Sequence, residues 1–127
     1  MPFVRKIIDP RKIPEDSAMR WLLESLERDE KRVAVGGLEG SARAFLIALL
    51  FRRLRRPIIV ISPTEKEAGI FVRDLAFFLG EEQTFLLPSW DLLTTDLFAF
   101  QRETELDRLE AFHRLVYGNP AVAVLPV

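Results

Sequence analysis

Four consecutive β-branched residues, Ile58-Ile59-Val60-Ile61, stand directly behind Pro57 and constrain this chain more than any other feature. A continuous run of that kind, with no polar alternation, predicts a strand covered on both faces, as strands of parallel sheets are. Parallel strands need crossover segments, and helical patterns lie on both sides of the run. Upstream, residues 41–54 are apolar nearly all round, which predicts a helix buried against a sheet; Arg52, Arg53, Arg55 and Arg56 crowd its C-terminal end, where positive charge is favoured. Downstream, Thr64 and Glu67 have the spacing of a capping box. They predict a helix with Ala68, Phe71, Leu75 and Phe78 inward and Gly80 as its C-terminal cap.

The same alternation extends to both ends. Pro14, Glu15 and Asp16 are suited to open a helix, with Ala18, Leu22 and Leu26 recurring at helical spacing. Val33-Ala34-Val35 predicts a short buried strand running into the Gly36-Gly37 turn. Residues 84–87 predict a third strand, and residues 103–117 a helix with Leu106, Leu109, Phe112 and Val116 inward and Gly118 as cap. Residues 121–125 predict a fourth strand, and an apolar edge at residues 122–127 is expected to be exposed and prone to self-association. The expectation is therefore one three-layer α/β domain over residues 1–127, with a short parallel sheet of the RecA-like, phosphate-loop type. A last strand followed by no helix makes the chain read as a piece of something longer.

Composition agrees with a folded chain and removes several chemistries. The 127 residues are 49% hydrophobic and 29% charged, with a formal net charge of -1. Near-neutral charge gives no global drive toward nucleic acid. With no cysteine and His113 as the sole histidine, thiolate metal sites, a cysteine nucleophile and histidine-based dyads have almost nothing to draw on. No uninterrupted apolar stretch at the N-terminus suggests a signal peptide, and none elsewhere is long enough to span a bilayer. A cytoplasmic location without membrane contact is expected.

The segment Gly37-Leu38-Glu39-Gly40-Ser41-Ala42-Arg43-Ala44 occupies the place of a phosphate-binding loop between a predicted strand and helix. The pattern G-x-x-x-x-G-K-[ST] puts its second glycine at Ala42, its lysine at Arg43 and its hydroxyl residue at Ala44, and all three differ. A methyl at Ala42 crowds the backbone's approach to phosphate. Arg43 keeps the charge on a larger planar head, and Ala44 has no oxygen for magnesium. Glu39 adds a negative charge, and no acidic pair of Walker B type stands at a strand end. The loop is expected to be vestigial, with no functional cofactor or metal site. At most, Gly37, Gly40, Ser41, Ala42, Arg43 and Ala44 form a weak anion site; the ordinary reading is a turn with no ligand. A dinucleotide fold would want an acid at the end of the second strand, where Ile61-Ser62-Pro63 has none.

These loop residues, followed by Ile61-Ser62-Pro63-Thr64, Leu87-Pro88-Ser89-Trp90-Asp91-Leu92-Leu93, Asp96-Leu97-Phe98 and Arg108-Leu109, resemble the N-terminus of bacterial transcription-repair coupling factors, from about Ile13 to Val127. The resemblance implies a module similar to the excision-repair subunit UvrB. It also implies a lost nucleotide site and a non-catalytic scaffold role in recruiting UvrA to stalled RNA polymerase. In that family the translocase motor and the polymerase- and DNA-contacting parts lie far beyond residue 127, and much of the UvrA contact belongs to the next small domain. Residues 89–100 lack the tyrosine cluster of the UvrB damage-probing hairpin, so direct damage sensing is not expected. Trp90, Leu92, Leu93 and Phe98 are candidates for a partner surface; the ordinary reading is that they roof the sheet. The alternatives are an active nucleotide-binding, helicase-like lobe, against which Arg43 and Ala44 argue, and a general protein-interaction domain unconnected with repair.

Overall fold

The structure, a computed structural model, describes residues 17–30, 32–87 and 98–127, with the backbone alone for Ser17 and residues 98–104. The chain divides into two compact units, residues 1–38 and 39–127. In the first, helix α1 spans Ser17–Glu27, buries Leu22, Leu23 and Ser25, and leaves Trp21 exposed. Its end is held by the Arg28–Glu24 ion pair at 3.1 Å. Residues 32–39 lie in no helix or strand, so the strand expected at Val33-Ala34-Val35 does not form. Three small apolar residues between Arg32 and two glycines bring little burial to offset the cost of ordering the backbone. The residues expected to open α1, Pro14 to Asp16, lie outside the described chain.

The second unit is a small α/β domain. Its elements are α2 (Ala42–Leu54), β1 (Ile58–Ser62), α3 (Glu65–Leu79), a short 3-10 turn (Glu81–Gln83), β2 (Thr84–Leu86), α4 (Phe98–Tyr117) and β3 (Val122–Pro126). The strands form a three-stranded parallel sheet in the order β1-β3-β2. Ile58 pairs with Val122 on one side, and Thr84 pairs with the same Val122 on the other.

Alternation along β3 sends its side chains to two cores. Val122 and Val124 join Ala44, Ala48 and Phe51 of α2 and Ala68, Leu75 and Leu79 of α3. Ala121 and Ala123 join Phe85, Leu87 and Ala111, with Leu115 and Leu125 packed alongside. Helices α2 and α3 thus cover one face of the sheet and α4 the other. On the α4 side the buried contacts are mostly alanine, which lets the helix approach the strands closely.

The capping predicted for α3 is present. Thr64 accepts a hydrogen bond from the Glu67 amide at 3.1 Å, and Gly80, at φ 96°, ends the helix with its amide donating to Ala76 O at 2.8 Å. Helices α2 and α3 are tied by an edge-on Phe45–Phe78 pair at 5.2 Å. Arg52, from the basic end of α2, donates to the Phe78 carbonyl at 3.1 Å.

Three expectations are corrected. The β-branched run of β1 is not covered on both faces: Ile59 and Ile61 are 59% and 66% exposed. The last strand is not an edge but the centre of the sheet, bonded on both sides. In α4, Leu106, Leu109, Phe112 and Val116 are exposed; Ala111 is buried in their stead and Leu115 half-buried. The helix is apolar on two flanks, and the sheet side is the one with the small residue and the long arginine stem.

Candidate functional site

The candidate loop meets the second unit at the start of α2. Gly40 has φ 55°, a left-handed conformation that glycine adopts without penalty. Ser41 is helical at φ -70° and caps α2 with its backbone only, accepting from the Phe45 amide at 2.9 Å; its hydroxyl makes no cap bond. The Ala42 amide is turned back onto Glu39 O at 3.1 Å. Ser41, Ala42 and Arg43 are exposed. Gly37, at φ 76°, belongs to the first unit, where no strand leads into it.

Ala44 carries the most chemical information. It is 1% exposed and packed in the cluster that holds Ala48, Phe51 and Leu75. A phosphate loop needs a hydroxyl here, aimed at magnesium. In this chain the side chain faces the core, so the position serves packing. Arg43, in the place of the lysine, keeps its charge in solvent.

The other candidates fall elsewhere. Trp90, Leu92 and Leu93 lie outside the described residues, as does the side chain of Phe98. His113 is exposed and lies against Tyr117, ring centres 5.4 Å apart. Among the described residues no group of three histidines, cysteines, aspartates or glutamates is placed to hold a metal ion, and no helix is long and apolar enough to cross a membrane.

Two features escaped the sequence reading. Arg114 reaches across from α4, its guanidinium 4.6 Å above the Phe85 ring and its NH2 donating to Glu82 O at 2.9 Å. The signal in the sequence was its spacing: Arg114 sits three residues after Ala111, on the sheet side of the helix. The second is the Thr84 hydroxyl, buried with no hydrogen-bond partner among the described residues.

Comparison with known proteins identifies relatives. No protein-family model matches the chain, and no solved structure matches it. The transcription-repair-coupling factor of Bacillus subtilis (strain 168) is 26% identical over 115 residues, covering 91% of this chain and 10% of the relative. That of Myxococcus xanthus is 32% identical over 98 residues, covering 72% of this chain and 8% of the relative. UvrABC system protein B of Kosmotoga olearia is 28% identical over 76 residues, covering 60% of this chain and 11% of the relative. The chain is thus similar over most of its length to transcription-repair-coupling factors, and over a shorter stretch to a UvrB protein. It spans about a tenth of the length of the curated relatives it matches.

Proposed function

We propose that this chain is the UvrB-like N-terminal module of a transcription-repair coupling factor. In this reading it is a non-catalytic module that serves as a scaffold for recruiting UvrA to RNA polymerase stalled on DNA. The observation that carries the reading is a coincidence. The chain is similar both to transcription-repair-coupling factors and to a UvrB protein, while its loop lacks the lysine and hydroxyl that nucleotide chemistry requires. A stretch akin to an excision-repair subunit, without a working phosphate loop, retains surfaces and loses catalysis.

The fold supports a RecA-like origin for the second unit. It has a parallel sheet with helices on both faces and a glycine-bearing turn at the start of α2. The burial of Ala44 supports the loss of metal chemistry. Motor activity, DNA translocation and polymerase contact are assigned to the rest of such a protein.

Titration of the labelled chain with purified, ATPase-active UvrA tests the scaffold role. The expected result is weak, saturable binding, with a Kd of roughly 10–100 µM, in the range of transient signalling contacts. No binding at the upper end of that range means that this chain alone does not hold UvrA, and no binding even with the following small domain restored leaves a general interaction domain.

A further inference from the structure

Helix α4 carries an apolar stripe on the side turned away from the sheet. Its sheet side is fixed by contacts: Ala111 is buried in the core, Leu115 packs alongside, and Arg114 leans over Phe85 of β2. A helix turns about 100° per residue, so the opposite side holds Leu106, Leu109, His113, Val116 and Tyr117, each three or four residues from another. Leu106, Leu109, Val116 and Tyr117 are between 64% and 79% exposed. His113 lies against Tyr117, ring centres 5.4 Å apart, so the stripe is not broken at its middle. Phe112 stands apart from it, with the Arg108 guanidinium 5.8 Å above its ring. A helix packed on a sheet is expected to be polar on its outer side. Here the outer side has the spacing of a coiled-coil seam, with Leu106 and His113 at one seam position and Leu109 and Val116 at the other.

We propose that this stripe docks a basic amphipathic helix of a partner protein. Spacing selects the helix. A seam of alternating three- and four-residue steps, about 17 Å long over residues 106–117, matches side chains that repeat at the same interval on a second helix. An extended strand, with its side chains alternating at every second residue, has no such match. Charge selects the sign. Glu105 and Glu110 border the stripe on its two sides, both exposed, and neither pairs with a cation among the described residues. Lysine or arginine beside the partner's own seam meets both carboxylates; rim charges of this kind set partner choice more than affinity. The same carboxylates oppose an anionic lipid surface. The four exposed apolar residues offer on the order of 500 Å², which with an equal area on the partner falls in the range of transient contacts. The inference is independent of the proposed role in repair, since it concerns one side of α4 and its test contains no UvrA.

Fluorescence anisotropy with two synthetic helices tests it. Both have leucine at the seam positions and alanine elsewhere; one carries lysine beside the seam and the other glutamate. Each labelled helix is kept dilute while the 127-residue chain is titrated in. The expected result is saturable binding of the lysine helix with a Kd of about 10–100 µM, and binding of the glutamate helix weaker by about tenfold or more. Leu109→Glu and Val116→Glu change exposed positions, so each variant is expected to retain its far-ultraviolet circular dichroism and to lose about tenfold or more in affinity for the lysine helix. Glu105→Lys combined with Glu110→Lys is expected to reverse the preference, so that the glutamate helix binds more tightly. No saturation with the lysine helix at about 500 µM chain overturns the proposal, as does binding that survives both Leu109→Glu and Val116→Glu. Equal affinity for the two helices, or a preference that does not reverse, overturns the basic partner. A chain that sediments as a dimer at these concentrations and as a monomer with Leu109→Glu gives the stripe to a second copy and overturns it as well.

Discussion

Ala44 decides more about this chain than any charged residue does. At 1% exposure it fills a site bounded by α2, α3 and β3. Threonine there would add a hydroxyl and a methyl to a fully packed site; the hydroxyl can bond back to a carbonyl of the preceding turn, so the cost is that of overpacking. Overpacking costs about 1–3 kcal/mol. Ala44→Thr is therefore expected to lower stability by about 2 kcal/mol, measured as a fall in the urea midpoint at constant slope. Arg43→Lys, at an exposed position, should change it by less than about 0.5 kcal/mol. An Ala44→Thr variant as stable as the wild type would mean that the site has room for a loop hydroxyl after all. The missing hydroxyl was legible in the sequence. Which way the Ala44 side chain points was not, because a helix apolar on nearly every side does not say which apolar residue meets the sheet.

Among the elements, those with strong local signals were read correctly from the sequence. The Thr64 cap with its Glu67 partner, the Gly80 stop and the inward row of Ala68 and Leu75 are all decided within one helix. What failed depends on which element lies beside which. The run Ile58-Ile59-Val60-Ile61 has the stronger strand chemistry, yet β3, with Ala123 and the adjoining Ala121 on one face, occupies the centre of the sheet. Hydrophobic content does not choose the central strand; the crossovers and the fit of α4 do. Similarly, α4 turns to the sheet the flank with Ala111 and Arg114, and the stripe of larger apolar residues stays outside. The arginine is what pins this flank. It combines a cation–π contact, a hydrogen bond to the Glu82 carbonyl and a stem lying on the sheet side. Arg114→Ala should cost about 1–2 kcal/mol, from the loss of contacts worth roughly 0.5–1 kcal/mol each together with the packed stem. Arg114→Met, which keeps the stem and loses the polar contacts, should recover part of that in the same denaturation experiment. Equal losses in both variants would assign the effect to the polar contacts alone.

At the scale of the whole molecule, the similarity to transcription-repair-coupling factors and to a UvrB protein raises one thermodynamic question: whether nucleotide is a ligand of the native state at all. A ligand that binds the folded chain and not the unfolded one stabilises it by about 2.7 kcal/mol at a hundred times its Kd. For a domain of about 100 residues each kcal/mol moves the Tm by roughly 4–8 °C, so even modest ATP affinity would be plain in a melting curve. The geometry argues for no shift. The Ala44 methyl is packed in the core, the Ala42 amide is turned back onto Glu39, and Glu39 itself is a negative charge at the turn. The α2 N-terminus offers only the weak anion attraction of any helix end, worth roughly 0.3–1 kcal/mol and screened by salt. Millimolar ATP with magnesium is therefore expected to move the Tm by less than about 2 °C. Inorganic sulfate at equal ionic strength is expected to do as much as ATP, because nothing at the turn recognises more than charge. A magnesium-dependent rise of several degrees with ATP, absent with sulfate, would show that the loop selects nucleotide despite its substitutions, and the scaffold reading would give way to an active lobe.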